Sequence, residues 1–236
     1  MCFSQATVPF GGGDAPRPWR DLPRGLDRSY GDCAINSSRQ VVETTAVNRL
    51  LAFDELAGVL TCEAGTSLES IIETFAPRGW FPMITPGTKF VTVAGCIAND
   101  VHGKAHHAQG CFSNCVDSMT VLLANDDIVS ASRTENAELF WATFGGMGLL
   151  GFILTATIWL RRIETTYFHQ KSIQAKDLES MMAALDAHDR TFPYFVASAE
   201  PLFALAWRSQ SIRESSTESR DEPCADHTMA APKTYS

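Results

Sequence analysis

The sequence of 236 residues predicts an α+β fold. Three observations carry that reading. Short runs of strand-forming residues alternate with helical apolar spacing from about residue 23 to 163. Asn125-Asp126 separates two such runs as a hairpin turn does. The stretch 152–160 is apolar enough for a strand buried on both faces.

The elements follow in order. Residues 1–22 are rich in Gly and Pro and read as irregular. Residues 40–45 and 58–64 read as strands, the second through Val59, Leu60 and Cys62. Thr66 and Glu69 fit a capping box, with Leu68, Ile71, Ile72 and Phe75 following at helical spacing. Residues 120–124 and 127–131 form the hairpin, 135–144 a helix and 152–160 a strand. A second amphipathic helix spans 175–188, with Leu178, Met181, Met182 and Leu185 on one face. An apolar strand is expected over 194–207. From residue 209 onward Ser, Glu, Asp and Pro dominate, and the tail reads as disordered.

Composition excludes some functions. With 45% apolar and 19% charged residues the chain can build a core. A net charge of -8 disfavours nucleic acid, whose phosphates need clustered Lys and Arg. Arg17, Arg20, Arg24 and Arg28 nevertheless make a local positive patch fit for a small anion. The seven cysteines are scattered and lack a C-x-x-C pair, which points to a reducing compartment and a cytoplasmic protein. Residues 1–14 do not read as a signal peptide, and no stretch is long and apolar enough for a spanning helix. Peripheral membrane association stays open.

Four segments carry chemistry. Arg24, Gly25, Leu26, Asp27, Arg28, Ser29, Tyr30, Gly31 and Asp32 form the first. Its glycines permit a turn that aims successive N–H groups at an anion, typically phosphate, with the arginines and Ser29 adding charge and a hydroxyl. An ordinary surface loop is the alternative. The second runs from Pro86-Gly87-Thr88 through Thr92, Val93, Ala94 and Gly95 to Asn99 and Asp100. Its small residues allow close approach to a flat ligand, or else tight helix packing. The third, Asp100-Val101-His102-Gly103-Lys104-Ala105-His106-His107, holds three histidines in poor metal spacing. No metal is expected; His102 and Lys104 suit an active-site wall. The fourth, Gly146-Met147-Gly148-Leu149-Leu150-Gly151, matches G-x-G-x-x-G. Its helix precedes and its strand follows, the reverse of a dinucleotide fold, so it reads as a close helix-to-strand turn, one that could lie against a cofactor.

Taken together, RGLDRSYGD at 24–32, PGTKFVTVAGCIANDVHGKAHH at 86–107 and AELFWATFGGMGLLGFILTATI at 137–158 resemble the vanillyl-alcohol-oxidase superfamily. The resemblance is to its sugar-oxidising members, those acting on decaprenylphosphoryl-ribose, aldonolactones or alditols, and covers about residues 20–165. It implies a PCMH-type FAD-binding domain of two α/β subdomains over 23–192, a remnant of a substrate domain over 193–208, and the tail over 209–236. It also implies which residues hold FAD: 24–32 at the pyrophosphate, Gly87, Thr88, Thr92, Val93, Ala94, Gly95, Asn99, Asp100, His102 and Gly103 along the rest, and Ile153 from the following strand. His102 and Lys104 are the candidate catalytic groups. Covalent relatives carry a histidine where this chain has Arg28, so non-covalent FAD is expected. Two features depart from the family: Asp27 replaces its usual glycine, and the family's members are about twice this length. The implied reaction is hydride transfer from a secondary alcohol of a free or lipid-linked sugar to the flavin. A truncated FAD-binding domain without catalysis is the alternative.

Overall fold

The computed structural model describes residues 21–35, 40–167, 169–188, 191–197 and 212–214. Its first unit is small. Strands β1 (Leu22–Arg24) and β2 (Val41–Glu43) pair in parallel, Leu22 beside Val41 and Arg24 beside Glu43. The second unit is a six-stranded sheet built from β3 (Leu50–Asp54), β4 (Val59–Glu63), β5 (Trp80–Pro82), β6 (Val116–Leu122), β7 (Ile128–Ser132) and β8 (Phe152–Arg162). The order is β3-β4-β8-β6-β7, with β5 paired to the end of β8 at Leu160–Arg162. Every pairing in it is antiparallel.

Register explains the core. Leu60 and Cys62 of β4 stand opposite Ile158 and Ala156 of β8, and Met119 of β6 stands opposite Ala156 from the other side. Side chains directly opposite share a face, so these residues form one apolar surface. Helices α1 (Leu68–Phe75), α2 (Val93–Ala98) and α4 (Ala137–Thr143) complete it with Leu68, Ile71, Phe75, Val93, Cys96, Ile97 and Phe140. The other face is half-buried and polar. There Thr61 and Thr157 share a hydroxyl hydrogen bond of 3.0 Å, and Thr120 and Thr155 one of 2.7 Å.

One charge is buried beside this core. Glu63 is only 2% exposed, and its Oε1 accepts from Arg49 Nη2 at 2.6 Å and Nε at 2.8 Å. Its Oε2 accepts from the Arg49 main-chain N–H at 2.8 Å. The fork neutralises a carboxylate that would otherwise be costly to bury.

The sequence reading holds for the larger elements and shifts for others. The strands at β2, β4 and β8, the β6–β7 hairpin and helix α4 lie where expected, with ends moved by a few residues. The helix cap is Ser67, not Thr66: the Ser70 N–H donates to Ser67 Oγ at 3.0 Å. Glu69 instead pairs with Lys89 at 2.7 Å. Helix α5 (Leu178–His188) starts later than residue 175 and has no buried residue; Leu178 and Met182 are half-exposed. Of the strand expected over 194–207, β10 (Tyr194–Phe195) is present, and 198–207 lies outside the described residues. In the tail, β11 (Ile212–Glu214) pairs with β10 and with β9 (His169–Lys171); the rest of 209–236, like 1–20, lies outside the described residues.

This three-stranded sheet joins the main body through its flanks. Arg161 at the end of β8 lies 4.9 Å from the Tyr194 ring centre, and Phe192 is buried.

Leu60 is fully buried at the centre of the apolar face, so Leu60→Ala lowers unfolding stability by about 3 kcal/mol. Arg49→Met also lowers the urea midpoint, because it strips the fork from Glu63. Leu56→Ala, at a side chain 99% exposed, leaves the midpoint unchanged. Equilibrium urea unfolding of the three variants checks this.

Candidate functional site

Three stretches distant in sequence close around one cavity of about 540 Å³. That volume falls within the range of about 300–1,000 Å³ usual for small-molecule and cofactor sites.

The first wall is the loop leaving β1. Pro23 through Tyr30 line the cavity, with Cys33 and Ala34 beyond. The β1–β2 pairing fixes where the loop starts: Thr44 donates from its N–H at 2.9 Å and from Oγ1 at 3.1 Å to the Arg24 carbonyl. Asp27 takes a left-handed φ of 56°, which folds the loop back on itself. Asp is one of the few side chains that tolerate that region. Among the described residues, the main-chain N–H groups of 25–30 have no hydrogen-bond acceptor. A run of unsatisfied donors on a cavity wall is an anion-binding arrangement.

Helix α2 and the residues leading to it make the second wall. One side of α2, through Val93, Cys96 and Ile97, is buried in the core. Ala94, Gly95, Ala98 and Asn99 face the cavity, joined by Pro86, Gly87, Thr88, Val91 and Thr92. Thr92 caps the helix, accepting from the Gly95 N–H at 3.1 Å. The loop and α2 approach closely, since a Cβ at Gly25 would strike the Thr92 side chain. At Gly87 a Cβ would meet nothing within 4 Å, so that position opens onto free space.

The third wall is the entry to β8. Met147, Gly148, Gly151 and Ile153 line the cavity. The Met147 N–H donates to the Ala98 carbonyl at 2.9 Å and ties this turn to α2. The G-x-G-x-x-G run lies after α4 and before β8, the helix-then-strand order read from the sequence. Gly151 is needed for closeness: a Cβ there would collide with the Leu122 carbonyl.

The structure thus gathers most of the predicted residues and leaves some outside. Arg24, Gly25, Leu26, Asp27, Arg28, Ser29, Tyr30, Gly87, Thr88, Thr92, Ala94, Gly95, Asn99 and Ile153 all line the cavity. Gly31, Asp32, Val93, Asp100, His102, Gly103 and Lys104 do not. Val93 is fully buried in the core. Asp100 is engaged elsewhere: its carboxylate accepts from the Ser113 N–H at 2.8 Å and Oγ at 3.2 Å. His102 and Lys104 are exposed on the next loop. The His102 ring lies 5.0 Å from that of His106 at the start of α3 (His106–Gln109). His106 Nδ1 is 3.8 Å from Cys111 Sγ, whereas His107 Nε2 bonds the Phe192 carbonyl at 3.1 Å. Among the described residues, no three His, Cys, Asp or Glu side chains gather as metal ligands would.

Thr44, Cys33 and Ala34 also line the cavity and carried no chemical signal in the sequence.

With this geometry, comparison with known proteins is decisive for the cofactor class. A family described as FAD binding domain matches residues 17–132. The chain carries an FAD binding domain of this family. Over 148 residues it is 43% identical to a decaprenylphosphoryl-beta-D-ribose oxidase of Mycolicibacterium smegmatis, covering 62% of this chain and 32% of that protein. Over 152 residues it is 30% identical to L-gulonolactone oxidase of Bos taurus, covering 63% of this chain and 33% of that one. The chain spans about a third of the length of these relatives. A xylooligosaccharide oxidase from Myceliophthora thermophila C1, in complex with xylobiose, superposes with a TM-score of 0.56 at 24% identity over 61% of this chain and 30% of that one. At that identity the likeness speaks for the fold. The FAD binding domain here is therefore an α+β unit of mixed helices and antiparallel sheet.

The cavity residues fit the cofactor of that family. They offer unpaired amide donors, two arginines and a run of small residues. Among the described residues no helix is long and apolar enough to cross a membrane.

The thiols of the domain separate by burial. Burial pushes Cys62 and Cys115 up to about 12 and raises Cys96 as well, while Cys33 stands exposed on the cavity wall. Only the thiolate reacts, and at pH 8 a group near 12 is ionised in roughly one molecule in ten thousand. Iodoacetamide at pH 8 therefore modifies Cys33 well before Cys62, Cys96 and Cys115, as peptide mapping by mass spectrometry will show. The buried thiols begin to react as pH rises toward their raised values.

Proposed function

We propose that this chain binds FAD non-covalently in the cavity and forms the cofactor half of an enzyme that oxidises a secondary alcohol of a sugar. The observation that carries the reading is the wall of unpartnered N–H groups at residues 25–30, facing small residues of α2 across one cavity. Those amides, with Arg24 and Arg28, hold the diphosphate. Gly87, Ala94, Gly95 and Ala98 let the flat part of the cofactor approach the main chain. When bound, the flavin supplies the two-electron acceptor for the alcohol carbon.

The non-covalent mode rests on the cavity lining, which contains no histidine among the described residues. His102 and Lys104 are the groups assigned to take the hydroxyl proton, from the loop that follows α2. The Asp100–Ser113 anchor holds the start of that loop. The substrate class follows the printed names of the relatives: a sugar or sugar lactone, with a lipid-linked ribose as the most specific form. The protein acts in the cytoplasm, at most peripherally attached to a membrane.

A second reading, FAD binding without catalysis, draws support from the exposure of His102 and Lys104 outside the cavity.

Purified protein is expected to be yellow and to release free FAD on acid precipitation; colour retained in the pellet would overturn the non-covalent mode. Added FAD slows alkylation of Cys33. Gly87→Glu, which projects a carboxylate into the open side of the cavity, weakens FAD binding by more than about tenfold with an unchanged melting curve. Anaerobic bleaching by a sugar substrate separates the two readings, since the catalytically silent form keeps its colour.

A further inference from the structure

Among the described residues, the charged ones lining the cavity are Arg24, Asp27 and Arg28. Two positive charges and one negative leave a net of +1 facing a ligand whose diphosphate carries two negative charges. Asp27 makes no ion pair or hydrogen bond among the described residues, and it is exposed on the wall. Its carboxylate is therefore not silenced by Arg28, its neighbour in sequence. Local conformation explains why a residue of this type can stand there. At φ 56° only Gly, Asn and Asp are readily accommodated. Of these, Asp alone brings a charge, and it brings the sign that opposes the ligand.

We propose that Asp27 sets the affinity of the site: it supplies the left-handed turn that shapes the diphosphate loop, and its carboxylate lowers the affinity for FAD below what the amides and arginines would give with an uncharged residue there. The proposal rests on the cofactor reading given above. It assigns the residue to no chemical step. Its action is repulsion of the diphosphate across a partly solvated wall, so it is screened by salt.

Asparagine keeps the left-handed preference and removes the charge, which makes Asp27→Asn the test. FAD is titrated into the 236-residue apoprotein by flavin fluorescence quenching, at low and at high sodium chloride. Asp27→Asn is expected to bind FAD about three- to tenfold more tightly than the parent at low salt, with the gap closing at high salt. Asp27→Gly, which removes the charge and also accepts the left-handed angle, is expected to shift in the same direction. Equal dissociation constants for the parent and both variants at low salt would overturn the proposal while leaving FAD binding intact. Tighter binding with the same gap at both salt concentrations would also overturn it, since the effect would then be conformational. If neither parent nor variants bind FAD, the cofactor reading itself fails and Asp27 has no such role.

Discussion

One strand constrains everything else in this domain. The eleven residues of β8 pair with β4, β5 and β6, so the sheet has no other common member. The same strand begins at the cavity: Ile153 lines it, and the turn before β8 is bonded to α2 through Met147 and Ala98. Cavity shape and sheet register are consequently one variable. A slip of one residue in β8 would turn Ile158 and Ala156 away from the core, and would also carry the third wall off the site.

Much of this was legible in the sequence, for identifiable reasons. The run 152–160 is strongly apolar and bounded by a glycine, and it is the element that the core most needs. Strands β3 and β5 were not legible. β3 is Leu-Leu-Ala-Phe-Asp with alternate residues exposed, and β5 is three residues ending in proline. Both are ordered by pairing rather than by their own preference. The cap of α1 went to the wrong neighbour because Thr66 and Ser67 are both good caps. Main-chain bonds decide between them: the Thr66 carbonyl accepts from Val93 and its N–H donates to Glu63, so Ser67 is left to start the helix.

The candidate site divides in the same way. Residues 24–30 and 87–99 announce themselves by glycine and small-residue spacing. Thr44, Cys33 and Ala34 carry no such mark, and reach the cavity only because β2 lies beside β1. The stretch 100–104, which the resemblance sets beside the cofactor, is placed by a different device: Asp100 adopts a φ of 41° and its carboxylate is held by Ser113, which turns the following loop away from the cavity lining. Side-chain anchors of that kind have no periodic signature.

The pairing of β1 with β2 has a further meaning. Three residues against three make a very small ladder, and two-stranded units of that size are marginal in water. Residues 21–35 are nowhere fully buried. The first wall of the cavity is thus drawn from the least cooperative part of the domain, while the second and third walls belong to its core. Occupancy and local order are therefore linked on that side: a ligand gripped by the loop adds its binding free energy to a segment with little of its own. Amide exchange in residues 22–30 would slow with ligand concentration, while the protection of β8 would scarcely change.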